Sequence, residues 1–456
     1  MACPCSTEPA MSSFRFSRRQ ALIALLAGPG PLLTACGGGD PDPATPTETP
    51  AQLTTVPVRG TFARPPGAAR LLGMNIGAKN YDDPAYQAQL ARLDVVILGF
   101  YRGWRGDTDG SVIRRAVQAM KALNPALKVG QYTMLGEAQD SPLNTADHDL
   151  SVELDATNWW LRDASTGARL QWTTAYGTWE INLTEWTKAD AAGDRWPQWL
   201  AKRDHRVLFQ PVPEFDIWYF DNVVANSRVK AADWKLDGTN WPSADPGVAA
   251  AYRRGHAAEW QTAAALAPTR LQMGNVATDL AQPEYRLRLG AAFLEAQMGR
   301  SWSIETWAGW LPMMQRYFDV THNLRAPALV GFNVSGSPSD YRFFRYAFTS
   351  CLLGDGHFSF TDVAVGYSSV PWFDEYEVAF GAPTGRATLQ EWSNGVYRRR
   401  YENALVLVNP QKDARTVKVG AGWRRLLATQ DPVTNSGAPV RTLTLPAKDG
   451  IVLVRR

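Results

Sequence analysis

Two acidic residues stand in apolar surroundings where a carboxylate is costly. Phe215-Asp216-Ile217-Trp218-Tyr219-Phe220 is a nearly unbroken apolar run that ends abruptly on Asp221 and Asn222. Phe293-Leu294-Glu295-Ala296-Gln297 sets a second acid among apolar neighbours. A carboxylate in such a setting costs free energy unless it is solvated, paired or used. If the first run is a strand, its period of two puts Ile217, Tyr219 and Asp221 on one face. Two carboxyl groups brought to one site by separate elements suit acid–base work on an acetal. One protonates the departing oxygen while the other attacks the carbon or activates water, which is what cleavage of a glycosidic bond requires. Asp221 then reads as nucleophile or base, and Glu295, kept protonated by its neighbours, as general acid. Asp362, or the Asp374-Glu375 pair, is an alternative acid. A salt-bridging or loop-capping role is the alternative for either carboxylate. Their separation is not readable here, so retention or inversion of configuration stays open.

The elements that must position these residues follow from the apolar pattern. Eight short apolar runs span Leu71–Ile76, Val95–Tyr101, Val129–Met134, Ile217–Asp221, Leu271–Asn275, Phe293–Gln297, Leu329–Val334 and His357–Phe360. Ala291 to Leu294 also reads as helix. Helical intervals between the runs include Pro84–Leu93, Ser111–Leu123, Gly247–Leu266, Ser303–Phe318 and Tyr341–Leu353. Such alternation predicts an α/β protein with a parallel sheet, and eight strands predict a (β/α)₈ TIM barrel. In that fold the catalytic face collects the C-terminal ends of the strands. Besides the two acids, that rule selects Tyr101, Tyr132, Asn222, Asn275 and Asn333 as substrate-binding candidates. Trp372, Asp374 and Glu375, after the last strand, join them as a stacking plane beside hydrogen-bonding carboxylates. The gap of about 80 residues after the third run carries Trp159, Trp160, Trp172, Trp179, Trp186, Trp196 and Trp199; long loops here wall binding clefts, or fold into a small subdomain of their own. After Pro383 the pattern turns to short alternating strands, which predicts a small C-terminal all-β, sandwich-like domain. The expected domains are a signal over 1–36, a tether over 37–66, the barrel over 67–385 and the β domain over 386–456.

Other chemistries find less support. The five histidines (His148, His205, His256, His322, His357) lack metal-binding spacing, and no Gly-rich phosphate loop follows the first strand, so neither metal nor cofactor is expected. Gly331-Phe332-Asn333-Val334-Ser335-Gly336 does not have the spacing of a serine nucleophile elbow. The chain has 18 Trp, 15 Tyr and 17 Phe, the flat apolar surfaces on which sugar rings stack, although any one of them serves equally well in a core. The formal charge of +3 includes Arg15, Arg18 and Arg19 near the N-terminus, set against Glu8. Without that segment the body is about neutral, which argues against a nucleic-acid partner.

The N-terminus reads as an export address. The three arginines precede an apolar stretch from Ala21 to Leu33, broken by Gly28, Pro29, Gly30 and Pro31 and too short to span a membrane. Ser17-Arg18-Arg19-Gln20-Ala21-Leu22 is similar to a twin-arginine signal, and Leu33-Thr34-Ala35-Cys36 has the form of a lipoprotein cleavage box. Lipidation at Cys36, followed by a Gly-, Pro- and Thr-rich leash, predicts an exported barrel held to the cell envelope through a lipid anchor alone. Gly37 after the cysteine resembles lipoproteins sorted to an outer membrane. Cys3, Cys5 and Cys36 fall in the signal, leaving Cys351 alone in the body, so no disulfide is expected there.

Four blocks in order carry a resemblance. They are Trp218-Tyr219-Phe220-Asp221-Asn222-Val223; Asp340-Tyr341-Arg342-Phe343-Phe344-Arg345-Tyr346 with Leu352-Leu353-Gly354-Asp355-Gly356-His357-Phe358; Trp372-Phe373-Asp374-Glu375-Tyr376; and Phe380-Gly381-Ala382-Pro383. The series resembles the hypothetical glycosyl hydrolase family fifteen from about Leu71 onward, which implies a barrel glycosidase with carboxylate catalysis. Asp340 is a plausible N-cap of the helix that follows it, and Arg342 and Arg345 either pair acids at the barrel rim or serve architecture. The expected function is hydrolysis of an oligo- or polysaccharide of the envelope. A catalytically silent glycan-binding lipoprotein is the second reading, and a structural envelope protein without a sugar site the third.

Overall fold

The computed structural model describes residues 64–141, 147–276, 280–286 and 288–455. The signal, Cys36 and the tether as far as residue 63 lie outside the described residues. Among the described residues no helix is long and apolar enough to cross a membrane.

All eight expected runs are strands of one parallel sheet. They are β1 (Leu72–Asn75), β2 (Val95–Leu98), β3 (Lys128–Met134), β4 (Ile217–Asp221), β5 (Leu271–Asn275), β6 (Ala291–Met298), β7 (Leu329–Gly336) and β8 (His357–Asp362), hydrogen-bonded in that order. A parallel bridge between Leu71 and Phe358 returns the last strand to the first, closing a barrel. Ala291 to Leu294 is strand, since its alternation places Ala291 and Phe293 inside the barrel and Ala292 and Leu294 against the helices.

Alternation sorts the side chains as expected. Leu72, Met74, Val95, Ile97, Ile217, Tyr219, Met273, Ala291, Phe293 and Leu329 pack in the barrel interior. Gly130 of β3 faces the same interior, where a Cβ would meet Ile97 Cδ1 at 2.5 Å and Ile217 Cβ at 3.1 Å, so a larger residue there would force the packed Ile97 side chain to shift. Outside lie α1 (Pro84–Leu90), α2 (Ser111–Leu123), α3 (His148–Thr157), α4 (Trp196–Asp204), α5 (Pro246–Leu266), α6 (Ile304–Ala308), α7 (Trp310–Asn323) and α8 (Tyr341–Leu352). Asp83 and Asp245 cap α1 and α5 ahead of a proline at the first helical position, and Asp340 caps α8 by accepting from the Phe343 amide.

The long segment between β3 and β4 is mainly a subdomain with its own core. Trp159, Trp160 and Trp196 are fully buried there with Leu154, Leu161, Ile181 and Leu200, joined by Trp234 and Tyr252 from beyond β4. Trp172, Trp179, Trp186 and Trp199 pack at its edge. β3 and β4 are nevertheless adjacent, with Met134 paired to Asp221.

The C-terminal unit is one curled antiparallel sheet of six strands. These are β9 (Glu391–Ser393), β10 (Val396–Arg400), β11 (Ala404–Asn409), β12 (Arg415–Arg425), β13 (Pro439–Leu445) and β14 (Asp449–Arg455), in the order β9-β10-β11-β14-β12-β13. In β11, Ala404, Val406 and Val408 pack toward the barrel's helical layer, whereas Leu405 and Leu407 face the sheet's own core with Trp423 and Leu443. Two apolar faces on one strand fuse this unit to the barrel.

Candidate active site

The C-terminal ends of β3, β4, β5 and β6 bring a hydrogen-bonded cluster to the barrel mouth. Asp221 closes β4, Asn275 closes β5 and Glu295 stands near the end of β6. Asn275 lies between the two acids, and its Nδ2 donates to Asp221 Oδ1 at 2.8 Å and to Glu295 Oε2 at 2.9 Å. The second Asp221 oxygen accepts from the Tyr132 hydroxyl at 2.6 Å. The other Glu295 oxygen accepts from the Tyr367 hydroxyl. Tyr132 stacks on Tyr219, their ring centroids 5.6 Å apart. Each carboxylate is therefore held by two neutral donors, and among the described residues no ion pair joins either acid to a cation.

Burial, and next the negative charge of Asp221, push the Glu295 carboxyl above its ordinary value; hydrogen bonds from Tyr367 and Asn275 oppose the shift. Glu295 keeps part of its surface open while its carboxyl lies deep in the cluster. The hydroxyls of Tyr132, Tyr219 and Tyr367 are raised by burial and then by these carboxylates, so all three stay neutral donors.

Asn222 adopts a left-handed φ of 53°, and its Nδ2 donates to Glu137 Oε1 at 2.7 Å. Glu137 is buried just beyond β3 and also accepts from Trp172 Nε1 at 3.0 Å and from the Thr178 hydroxyl. Beside it, burial and then the Glu137 charge raise Glu180 to about 8. The exposed Arg228 guanidinium lies 4.6 Å from the Trp172 ring centre. Tyr101, just past β2, is 42% exposed, with the Lys79 ammonium 5.2 Å from its ring centre. Among the described residues no group of three or more His, Cys, Asp or Glu could hold a metal ion.

Four expected binding residues lie elsewhere. Asn333 is wholly buried, with its amide oxygen bonded to Ala296 N and its amide nitrogen to Ser359 and Thr361, so it has no polar atom left for a substrate. The Trp372 ring packs on the Arg92 guanidinium at 3.4 Å, between α1 and the start of β2, and therefore on the flank away from the mouth. Asp374 accepts from the backbone of Thr429 and Gln430, and the buried Glu375 from Asn435, so both fasten the C-terminal unit to the barrel. These bonds also remove Asp374 and Glu375 as alternative acids. Asp362 caps its own turn by accepting from Ala364 N. Arg345 pairs with Asp449 and Asp431 of the C-terminal unit, and Arg342 donates to Ala447 O; neither reaches a rim acid.

Glu137 is the polar group that follows Tyr132 past the third strand, and Trp172 is one of the tryptophans read as a cleft wall or a self-packing subdomain. Tyr367 and Arg228 were not among the expected site residues. Both sit in loops without periodicity, and nothing in their spacing marks them.

The sequence model of hypothetical glycosyl hydrolase family 15 matches residues 121–405, more than half of the chain. No curated protein matches the sequence. Among solved structures, the glycoside hydrolase domain of PelA from Pseudomonas aeruginosa is 15% identical, covers 67% of this chain and 98% of its own, and gives a TM-score of 0.41. Amy13B from Eubacterium rectale is 11% identical over 86% of this chain and 96% of its own, at a TM-score of 0.48. A GH30 endoxylanase from Clostridium papyrosolvens is 11% identical over 87% and 98%, at 0.41. The assignment rests on the family match, together with the barrel and the paired acids at its mouth: this chain belongs to hypothetical glycosyl hydrolase family 15.

Proposed function

We propose that the barrel mouth hydrolyses a glycosidic bond of an oligo- or polysaccharide with retention of configuration, Asp221 acting as nucleophile and Glu295 as acid and then base. The observation that carries this reading is the single Asn275 nitrogen shared by both carboxylates. Asp221 Oδ1 and Glu295 Oε2 each bond one atom, so they stand less than about 6 Å apart, in line with the roughly 5–5.5 Å of retaining pairs rather than the larger gap that admits a water. In the first step Glu295 gives its proton to the glycosidic oxygen as Asp221 attacks the anomeric carbon and the bond to the leaving sugar breaks. In the second, Glu295, now a carboxylate, takes a proton from water as that water displaces Asp221 from carbon. Tyr132 and Asn275 hold the nucleophile's two oxygens in place throughout.

Reducing ends released from a panel of envelope and exported polysaccharides, with proton NMR of the first anomer formed, test this reading. Release of the anomer that matches the substrate supports it; the opposite anomer excludes Asp221 as nucleophile. Binding without release favours the silent glycan-binding protein. The pH profile carries a further expectation. A general acid works only while protonated, so kcat/KM falls as pH rises through the Glu295 pKa. Because that pKa is raised, the alkaline limb is expected above the ordinary glutamate range. An alkaline limb near the value of a free glutamate would assign the acid elsewhere.

The same reading places the enzyme outside the cytoplasm on a lipid at Cys36, supported by the basic n-region, the apolar stretch and the Leu33–Cys36 box. Cys36→Ala is expected to move the protein from the membrane fraction to the soluble fraction and to abolish palmitate labelling. Unchanged membrane retention would refute the anchor.

A further inference from the structure

Glu295 sits where β6 departs from its ladder. Leu294 pairs with Phe332 and Met298 with Val334, so four steps along β6 match only two along β7. The surplus forms a bulge over residues 295–297. Its middle residue, Ala296, has a φ of +41°, a conformation that residues with a Cβ adopt rarely and at a cost. In a regular strand, ladder hydrogen bonds on either side fix the direction of a side chain. At this bulge they do not, and another restraint must hold the backbone.

That restraint is a buried clamp on the Ala296 peptide groups. The Ala296 N–H donates to Asn333 Oδ1 at 2.9 Å, and the Ala296 carbonyl accepts from the Ser303 hydroxyl at 2.6 Å. Asn333 is anchored in turn, its Nδ2 donating to Ser359 Oγ at 3.0 Å and Thr361 Oγ1 at 2.9 Å on β8. Asn333, Ser303, Ser359 and Thr361 are all buried. One side chain therefore ties the bulge of β6 across β7 to β8. The residue type suits the task, because a carboxamide offers an acceptor to the strained N–H and donors to two hydroxyls at once.

We propose that Asn333 is a positioning residue for Glu295. By holding the Ala296 peptide in the bulge it sets where the Glu295 carboxyl stands relative to Asp221 and the leaving oxygen. This rests on the assignment of Glu295 as general acid. An aliphatic residue at 333 leaves a buried N–H without a partner, and the bulge relaxes toward a regular strand. Displacement of a catalytic group by about 1 Å can cost roughly a hundredfold in rate.

The experiment compares Asn333→Ala, Asn333→Asp, Ser303→Ala and Glu295→Gln on two glycosides of the sugar that the wild-type enzyme releases. One carries a dinitrophenolate leaving group, which departs without a proton; the other carries an alkoxide, which needs one. Thermal melts accompany each variant. Asn333→Ala is expected to lose about a hundredfold in kcat/KM, which reports the first step alone, on the alkyl glycoside, and less than about fivefold in kcat/KM on the dinitrophenyl glycoside. Asn333→Asp, which retains the acceptor for Ala296, recovers most of the loss. Should Asn333→Ala not fold, Ser303→Ala releases the other side of the clamp and is expected to give the same leaving-group pattern, more weakly. Equal losses on both substrates, or no loss in any clamp variant, would overturn the proposal. If Glu295→Gln fails to show the leaving-group pattern, the acid assignment falls instead.

Discussion

Asp221→Asn is expected to lower hydrolysis at least about a thousandfold, close to 4 kcal/mol of barrier, while the protein stays folded. A carboxamide cannot form the glycosyl ester, and among the described residues Asp221 and Glu295 are the carboxylates that Asn275 bonds. The fold tolerates the change because the site is neutral in its donors. Asp221 is held by Tyr132 and Asn275, and among the described residues it has no paired cation whose charge would be stranded by the substitution. Asparagine keeps one acceptor, and the Tyr132 hydroxyl can turn to accept from the new amide, so the cost in stability is about 1 kcal/mol. Reducing-sugar release and thermal melting of the same preparation decide the matter. A variant that is folded and turns over at the wild-type rate removes Asp221 from the mechanism. A variant that unfolds would show that the carboxylate is structural.

The second large effect is on stability, at the seam between barrel and C-terminal sheet. Arg345 of α8 is 6% exposed, and its guanidinium forms two 3.1 Å hydrogen bonds to Asp449, itself 3% exposed at the start of β14, while a third nitrogen meets Asp431. Burial raises the Asp449 carboxyl even though hydrogen bonding and charge from Arg345 oppose the shift. Arg345→Ala removes the partner and leaves Asp449 buried and uncompensated, a loss of about 3–5 kcal/mol. Removing both charges together, as Arg345→Met with Asp449→Leu, is expected to be far milder, since only the half-buried Asp431 then loses its cation. Urea denaturation of Arg345→Met, Asp449→Leu and the double variant forms a cycle that isolates the pair. Losses of the two single variants that simply add in the double would mean that the ion pair contributes nothing to the seam.

Each block that carries the family resemblance has a physical reason to look as it does, and only some of the reasons are catalytic. The β4 block delivers Asp221. The Asp340–Tyr346 block supplies an N-cap and Arg345, and the Trp372–Tyr376 block meets Arg92, Gln430 and Asn435. The latter two read as candidates for a barrel mouth because they follow strands 7 and 8. Asp374, Glu375 and Arg345 in fact fasten the C-terminal unit to the barrel, and Trp372 packs on Arg92. Asn333 misled for a related reason, since a polar residue near a strand end looks the same whether it faces a groove or a buried bulge. Only its fully buried amide and its four hydrogen bonds to three residues separate the two. Tyr367 was invisible because a tyrosine in a loop after the last strand carries no periodic signal, although its hydroxyl holds Glu295.

What the sequence determined by itself is local and periodic. Apolar runs of strand length alternating with helical stretches dictate eight parallel strands, and a period of two dictates which side chains enter the barrel. Asp221, Asn275 and Glu295 were legible as polar groups at the ends of such strands. The tertiary structure decided everything that depends on closure: that one amide nitrogen touches both acids, that Tyr367 returns from beyond the last strand to meet Glu295, and that a bulge with no sequence signature is held by a residue of the next strand, itself anchored on the strand beyond. Distances across a barrel depend on shear and on bulges, which sum small backbone departures over many residues, whereas the inward or outward sense of a side chain depends on its own strand alone.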